Sequence, residues 1–238
     1  MKLALFLLIV MYGVFVQSLL GFGGTPLAMP LGILVMGLSV TKPVMTIVAM
    51  LTGIVVVAAE WRYINWRELL KMVAAMLLGV LGGLWLMGRL KLQFLLIIYA
   101  VVVAAIGFKK LVFPQKKQAP NWLQNTSLGV AGIIQGLFVS GGSFLAVYAV
   151  AKLPEKHEFR GTVNAVWMII DAIMVISYWT QGALTPEVLK LSCISALPTL
   201  AAVWLGGFLA KKVNQQFFLK LVYVLLIVSG TVLLITNL

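Results

Sequence analysis

Apolar residues run along the chain in long blocks separated by short polar turns. The blocks cover 3–40, 43–59, 69–88, 92–108, 127–151, 161–179, 188–210 and 214–236, and two of them are interrupted, one at Gly21 to Gly24 and one at Gly141-Gly142. A helix that crosses the hydrocarbon core needs about 20 mostly apolar residues. The pattern therefore predicts an all-α polytopic membrane protein with short connections. The longest polar connection, Lys109 to Gln124, holds Pro114, Pro120 and four lysines. It divides the chain into an N-terminal transmembrane repeat over 1–113, a linker over 114–120 and a C-terminal transmembrane repeat over 121–238.

The two interrupted blocks resemble each other. Residues 17–28 read QSLLGFGGTPLA and residues 135–146 read QGLFVSGGSFLA, at a constant offset of 118. A second echo is LGG at 81–83 and 205–207, each followed by a basic turn and a Gln-aromatic pair, Gln93-Phe94 and Gln216-Phe217. Two matched motifs in the same order point to a duplication.

Charge tests the topology. If every block crosses once, nine basic residues fall on each side. If 3–40 and 127–151 instead enter and return to the same side, thirteen fall on one side, and Lys2, Lys42, Arg89, Lys91 and Lys190 make five on the other. The second arrangement follows the positive-inside rule. It leaves three full crossings per half, so the halves are inverted relative to each other, as in many secondary transporters. Each half is then a glycine-broken re-entrant helix hairpin plus three spanning helices, and both termini lie on the non-cytoplasmic side. The 127–151 hairpin is short and must borrow from 121–126. Trp61, Trp66, Trp122 and Trp179 fall at segment ends and read as interfacial anchors. The N-terminal run reads as retained structure, because no small-residue cleavage site follows it.

Composition agrees with the pattern. The chain of 238 residues is 62% hydrophobic and 10% charged, against about 45–50% apolar and about 25% charged in a soluble domain. The net charge of +12 does not indicate nucleic acid, because the basic residues lie between apolar blocks and form no stripe. One cysteine, Cys193, and one histidine, His157, leave no disulfide, zinc site or other metal or cofactor motif. Cys193 reads as a small buried residue and His157 as solvated. No nucleophile–base pair, phosphate loop or ATPase motif appears, so the chain is not expected to be an enzyme.

Candidate chemistry lies at the breaks. Glycine admits backbone conformations closed to other residues, Thr25 suits a helix N-cap, and Pro26 suits the first helical position after it. The second half repeats the device at Ser140, Gly141, Gly142 and Ser143, with Ser143 as the cap. Two inverted halves would bring these helix N-termini together near the midplane, where their N–H groups and dipoles favour an anion. Gly23, Gly24, Thr25, Gly141, Gly142, Ser140 and Ser143, with the amides of Gln17 and Gln135, make up the predicted cradle for a small oxyanion. The alternative is that the glycines only let helices pack closely. Thr46 and its repeat mate Asn164 either line the same cavity or bond between helices. Asp171 lies midway along its block, where a charge is costly and usually functional. It relays protons or serves as a structural hydrogen-bonding group, and beside an anion it is expected to be protonated or offset from the site. Lys42 and Arg160 stand before two segments, either drawing anions in or marking the interface.

At the glycine motifs the sequence resembles the sulfite exporter TauE/SafE-like family of membrane permeases. GFGGTPLAMP matches the family's Gly-rich stretch followed by Pro. GLFVSGGSFLAVYAV and EFRGTVNAVW are similar to its second-half sequence, with Phe144 and Tyr148 where the first half has Pro26 and Pro30. The resemblance implies a secondary transporter, an exporter of small sulfur-containing anions such as sulfite, thiosulfate or organosulfonates across the bacterial inner membrane. The other readings are a non-transporting membrane anchor or assembly subunit, and a passive anion channel. The implied partners are a small anionic substrate and the lipid bilayer, and homo-oligomerisation stays open.

Overall fold

The computed structural model describes residues 2–86, 101, 104–105, 108, 111–112, 121–139 and 141–237. Most of the 92–108 block, the linker 114–120, Ser140 and the Gln93-Phe94 echo lie outside these residues. Among the described residues the fold is all-helical. Its long helices are α1 (Lys2–Leu20), α2 (Gly24–Met36), α3 (Leu38–Glu60), α4 (Trp66–Leu86), α5 (Asn121–Phe138), α6 (Gly142–Lys152), α7 (Lys156–Thr180), α8 (Pro186–Lys212) and α9 (Gln215–Asn237). A short 3₁₀ turn, Trp61–Tyr63, follows α3. Four of these segments, Lys2–Leu20, Leu38–Tyr63, Lys156–Thr180 and Pro186–Lys212, are long and apolar enough to cross a membrane.

The interrupted blocks become the pairs α1/α2 and α5/α6, and α5 does begin at Asn121. Gly24 and Gly142 open α2 and α6, and Leu38 and Lys156 open α3 and α7, each pair 118 residues apart. The first block stops because Gly21 and Gly23 both take φ 86°, left-handed values that glycine adopts without steric cost. The Gly21 N–H closes α1 on the Gln17 carbonyl at 2.7 Å. The second block stops at Val139, whose φ is 54° and whose N–H closes α5 on Gln135 O at 2.9 Å. Several other helices start on side-chain caps, whereas α3 starts after Gly37 without one. Thr185 accepts from Val188 N at 3.3 Å, Glu155 from Glu158 N at 2.8 Å and Asn65 from Glu68 N at 3.1 Å.

Helices α3 and α7 run antiparallel through the centre. Gly53 lets them approach, since a Cβ there would lie 3.0 Å from the Asn164 carbonyl oxygen. Helix α8 packs on α1, where Ser18 Oγ donates to Val203 O at 2.9 Å. On the other side α4 packs on α5, with Gly79 and Gly132 in backbone contact. Tyr148 of α6 is buried, and its hydroxyl donates to Glu68 Oε2 of α4 at 2.7 Å. That contact is the use of the residue that departs from the first-half pattern.

Several residues are placed otherwise than their sequence context suggests. Arg160 is buried within the protein rather than exposed. Its Nε and Nη2 donate to the Ser18 carbonyl at 3.0 and 2.7 Å, and its Nη1 pairs with Glu60. His157 is partly exposed rather than freely solvated, because Glu60 holds it. Its Nδ1 lies 3.0 Å from Glu60 Oε2, and its ring stacks on Tyr63. Cys193 is exposed, on the outer face of α8. Trp61, Trp66, Trp122 and Trp179 are all exposed at or near helix ends. Leu34, Leu70, Leu78, Leu197 and Trp204 are exposed as well, an outer surface suited to lipid rather than water.

The two breaks use their glycines differently. A Cβ on Gly24 would overlap the Gly13 carbonyl of the adjoining arm, whereas a Cβ on Gly142 meets nothing nearer than 3.5 Å. Gly24→Ala is therefore expected to lose about 1–3 kcal/mol of stability through overpacking. Gly142→Ala should unfold with the wild type. Thermal unfolding in detergent measures both.

Candidate functional site

The two breaks meet. A Cβ built on Gly142 would lie 3.6 Å from the Gly23 nitrogen and 3.6 Å from the Phe22 Cβ. The N-termini of α2 and α6 thus come together although 118 residues separate them. Neither has a side-chain cap. Gly23 occupies the cap position of α2 and Gly141 that of α6, and neither glycine has a side chain with which to cap the first turn. This corrects the assignment of Thr25 and Ser143 as caps. The glycine reversals start each helix earlier than the hydroxyl residue, so Thr25 and Ser143 lie inside the first turn. Pro26 remains compatible there, because the first four N–H groups of a helix have no intrahelical acceptor.

A cavity of about 20 Å³ lies where the breaks meet, room for a water molecule or two. Gln17, Gly23, Thr25, Gln135, Gly142 and Asp171 line it, joined by Phe22, Pro26, Ala49, Val139 and Trp167. Gln17 is held by its Nε2, which donates to Ala49 O at 3.4 Å. Gln135 bridges the second break to α7, its Oε1 accepting from Gly141 N at 3.1 Å and its Nε2 donating to Asp171 Oδ1 at 3.2 Å. Trp167 Nε1 donates to the Gly21 carbonyl at 3.1 Å, so α7 of the second half satisfies the break of the first.

Asp171 is not offset from the cavity. It is buried, lines the cavity, and has Gln135 as its hydrogen-bond partner. Among the described residues, no lysine or arginine lines the cavity.

The remaining candidates lie around this cavity rather than on it. Gly24 and Gly141 pack against the backbone of the adjoining arm, at Gly13 and Ala131. Ser143 is fully buried with its hydroxyl unpartnered. Thr46 bonds back to Lys42 O at 2.9 Å, and Asn164 bonds back to Arg160 O at 2.9 Å. Lys42 Nζ lies 5.9 Å from the centre of the Tyr178 ring. Arg160 is engaged by Ser18 and Glu60 and so is no free cation.

Ala49, Val139 and Trp167 are lining residues that motif reading passes over. Ala49 and Trp167 carry a detectable signal, for they are repeat mates at the 118-residue offset and stand three residues beyond Thr46 and Asn164. Val139 carries none, because a β-branched residue is the least expected occupant of a left-handed position.

Comparison with known proteins supplies the class. The family model for the sulfite exporter TauE/SafE matches residues 5–233. A curated relative, the probable inner membrane transporter protein TsaS of Comamonas testosteroni, is 27% identical over 174 residues, which make up 72% of this chain and 73% of the relative. No solved structure matches the chain. With long apolar helices, a polar cavity enclosed among them and a family match over nearly its whole length, the chain belongs to the TauE/SafE sulfite exporter family of membrane transporters.

Proposed function

We propose that the protein is a secondary transporter of small sulfur-containing anions, such as sulfite, thiosulfate or organosulfonates, working as an exporter in the bacterial inner membrane. The observation that carries this reading is the meeting of two uncapped helix N-termini on one polar cavity. Each brings first-turn N–H groups that have no acceptor within the helix, and the positive end of a helix dipole. Thr25 and the amides of Gln17 and Gln135 add neutral hydrogen-bonding groups, and the hydroxyl of Ser143 lies behind them. Irregular backbone of this kind is tolerated at membrane depth only where protein buries it or where it lines a cavity.

In this reading 1–113 and 121–238 are inverted repeats, the two pairs α1/α2 and α5/α6 are re-entrant hairpins, and both termini lie outside the cytoplasm. The recurrence of helix starts at the 118-residue offset supports the repeat, and the distribution of basic residues supports the orientation. Asp171 carries the coupling proton. An ionised carboxylate would repel an anion in the same cavity, and no lining cation among the described residues offsets it, so anion and proton move together.

Lys42 and Arg160 act as gates. They are repeat mates, and so are their partners Tyr178 and Glu60, each pair 118 residues apart. The Arg160–Glu60 pair and the Lys42–Tyr178 contact therefore stand at opposite ends of the α3–α7 crossing. The first is a buried ion pair and the second a contact of 5.9 Å. Alternating access follows if these two contacts tighten and loosen in turn as the halves rock about the cavity.

Reconstituted in liposomes, the protein is expected to show saturable sulfite flux that responds to a pH gradient, and Asp171→Asn to retain flux without that response. Flux that never saturates would make it a channel, absence of flux an anchor, and an unaltered gradient response in Asp171→Asn would remove the coupling role. Gly142→Ala places a methyl 3.6 Å from Gly23 N. It should weaken sulfite binding at least tenfold, about 1.4 kcal/mol, read as the sulfite-induced shift in melting temperature.

A further inference from the structure

Val139 stands in a conformation that costs it stability. Its φ of 54° is left-handed, a region that crowds a β-branched side chain against its own backbone. It is the only non-glycine residue with positive φ among the described residues. Its repeat mate is Gly21, at φ 86°. Both positions do the same backbone work, since each N–H closes its helix on the glutamine four residues earlier, Gln17 or Gln135. A glycine at 139 would meet that backbone requirement without strain, so the isopropyl group is not needed to make the turn.

The isopropyl group is buried, with Val139 2% exposed, and the residue lines the cavity. A second repeat pair shows the same imbalance. Trp167 lines the cavity in one half and Ala49 in the other. At these two pairs the second half contributes the bulkier side chain, while Phe22 and Pro26 of the first half also line the cavity. The resulting cavity of about 20 Å³ is tight, and strained residues held in place by their surroundings concentrate at functional sites.

We propose that Val139 is the residue that limits substrate size, its strained side chain closing the second-half wall of the cavity so that only compact oxyanions fit. The assignment rests on the transporter reading and adds to it a specificity determinant. Trp167 is the fixed part of the same wall, anchored by its bond to the Gly21 carbonyl at 3.1 Å. Val139 is the adjustable part, because its side chain forms no bond and can be shortened without unpairing a polar group.

The test uses the full-length protein with Val139→Gly and Val139→Ala, measuring thermal unfolding and liposome uptake of sulfite, methanesulfonate and propane-1-sulfonate. Val139→Gly removes both the strain and the bulk. It should melt above the wild type and raise the propanesulfonate-to-sulfite ratio of kcat/KM at least about tenfold, the discrimination typical of a methylene in a tight pocket. Val139→Ala keeps a Cβ in the left-handed region. It should shift the ratio in the same direction and less far, without the full gain in melting temperature. An unchanged ratio in either folded variant, with sulfite uptake intact in the wild type, overturns the size role and leaves the transporter reading standing. A melting temperature of Val139→Gly below the wild type overturns the strain argument. No uptake of any of the three anions by the wild type overturns the transporter reading and this assignment with it.

Discussion

Lipid offers no hydrogen-bond partner to a peptide group, so every interruption of a helix in this chain must be satisfied by protein. That requirement locks the two halves together. The break after α1 leaves the carbonyls of Ser18 and Gly21 outside regular helix bonding. Both are satisfied by α7, through Arg160 and Trp167. The break after α5 is satisfied from within its own half, where Gln135 takes the Gly141 N–H and passes its other end to Asp171. Of the groups that bury the breaks, Trp167, Gln135 and Asp171 also line the cavity, whereas Arg160 does not.

The helical blocks, the two breaks and the glutamines at their edges are legible in the sequence because each leaves a local mark: an apolar run, a Gly-Gly pair, a repeated spacing of 118. The placement of individual glycines is not. Gly23 and Gly142 face the cavity while Gly24 and Gly141 serve helix packing. One glycine of each pair thus lines the cavity and the other packs against the adjoining arm. Which one does which depends on where the chain reverses, and that is set by the φ values at Gly21, Gly23 and Val139. The positions of Arg160 and His157 were illegible for a different reason. Both are drawn to Glu60, a residue 97 and 100 positions away in sequence. No local pattern announces a long-range ion pair.

The two halves share a backbone plan and differ in side chains at the cavity. Asp171, Trp167 and Val139 have Gly53, Ala49 and Gly21 as mates, and Glu60 has Tyr178. The helix starts recur at the 118-residue offset and the side chains around them differ: one carboxylate, Asp171, lines the cavity, and the Arg160–Glu60 ion pair is closer than the Lys42–Tyr178 contact. A perfectly symmetric cavity would offer an anion no preferred side. In the proposed transporter, directionality, coupling and size selection fall on different pairs of mates.

The account rests on the two breaks touching, and a disulfide tests that directly. Phe22→Cys and Gly142→Cys, combined in a Cys193→Ser background, leave two cysteines in the chain. The Cβ positions at 22 and 142 lie 3.6 Å apart, within the range of about 3.5–4.5 Å that a disulfide spans. Mild oxidation in native membranes is predicted to form an intrachain bond in the double variant, seen as loss of maleimide labelling that returns on reduction. Free labelling of both cysteines after oxidation would contradict the account, because the breaks would then lie apart and no shared cavity would exist.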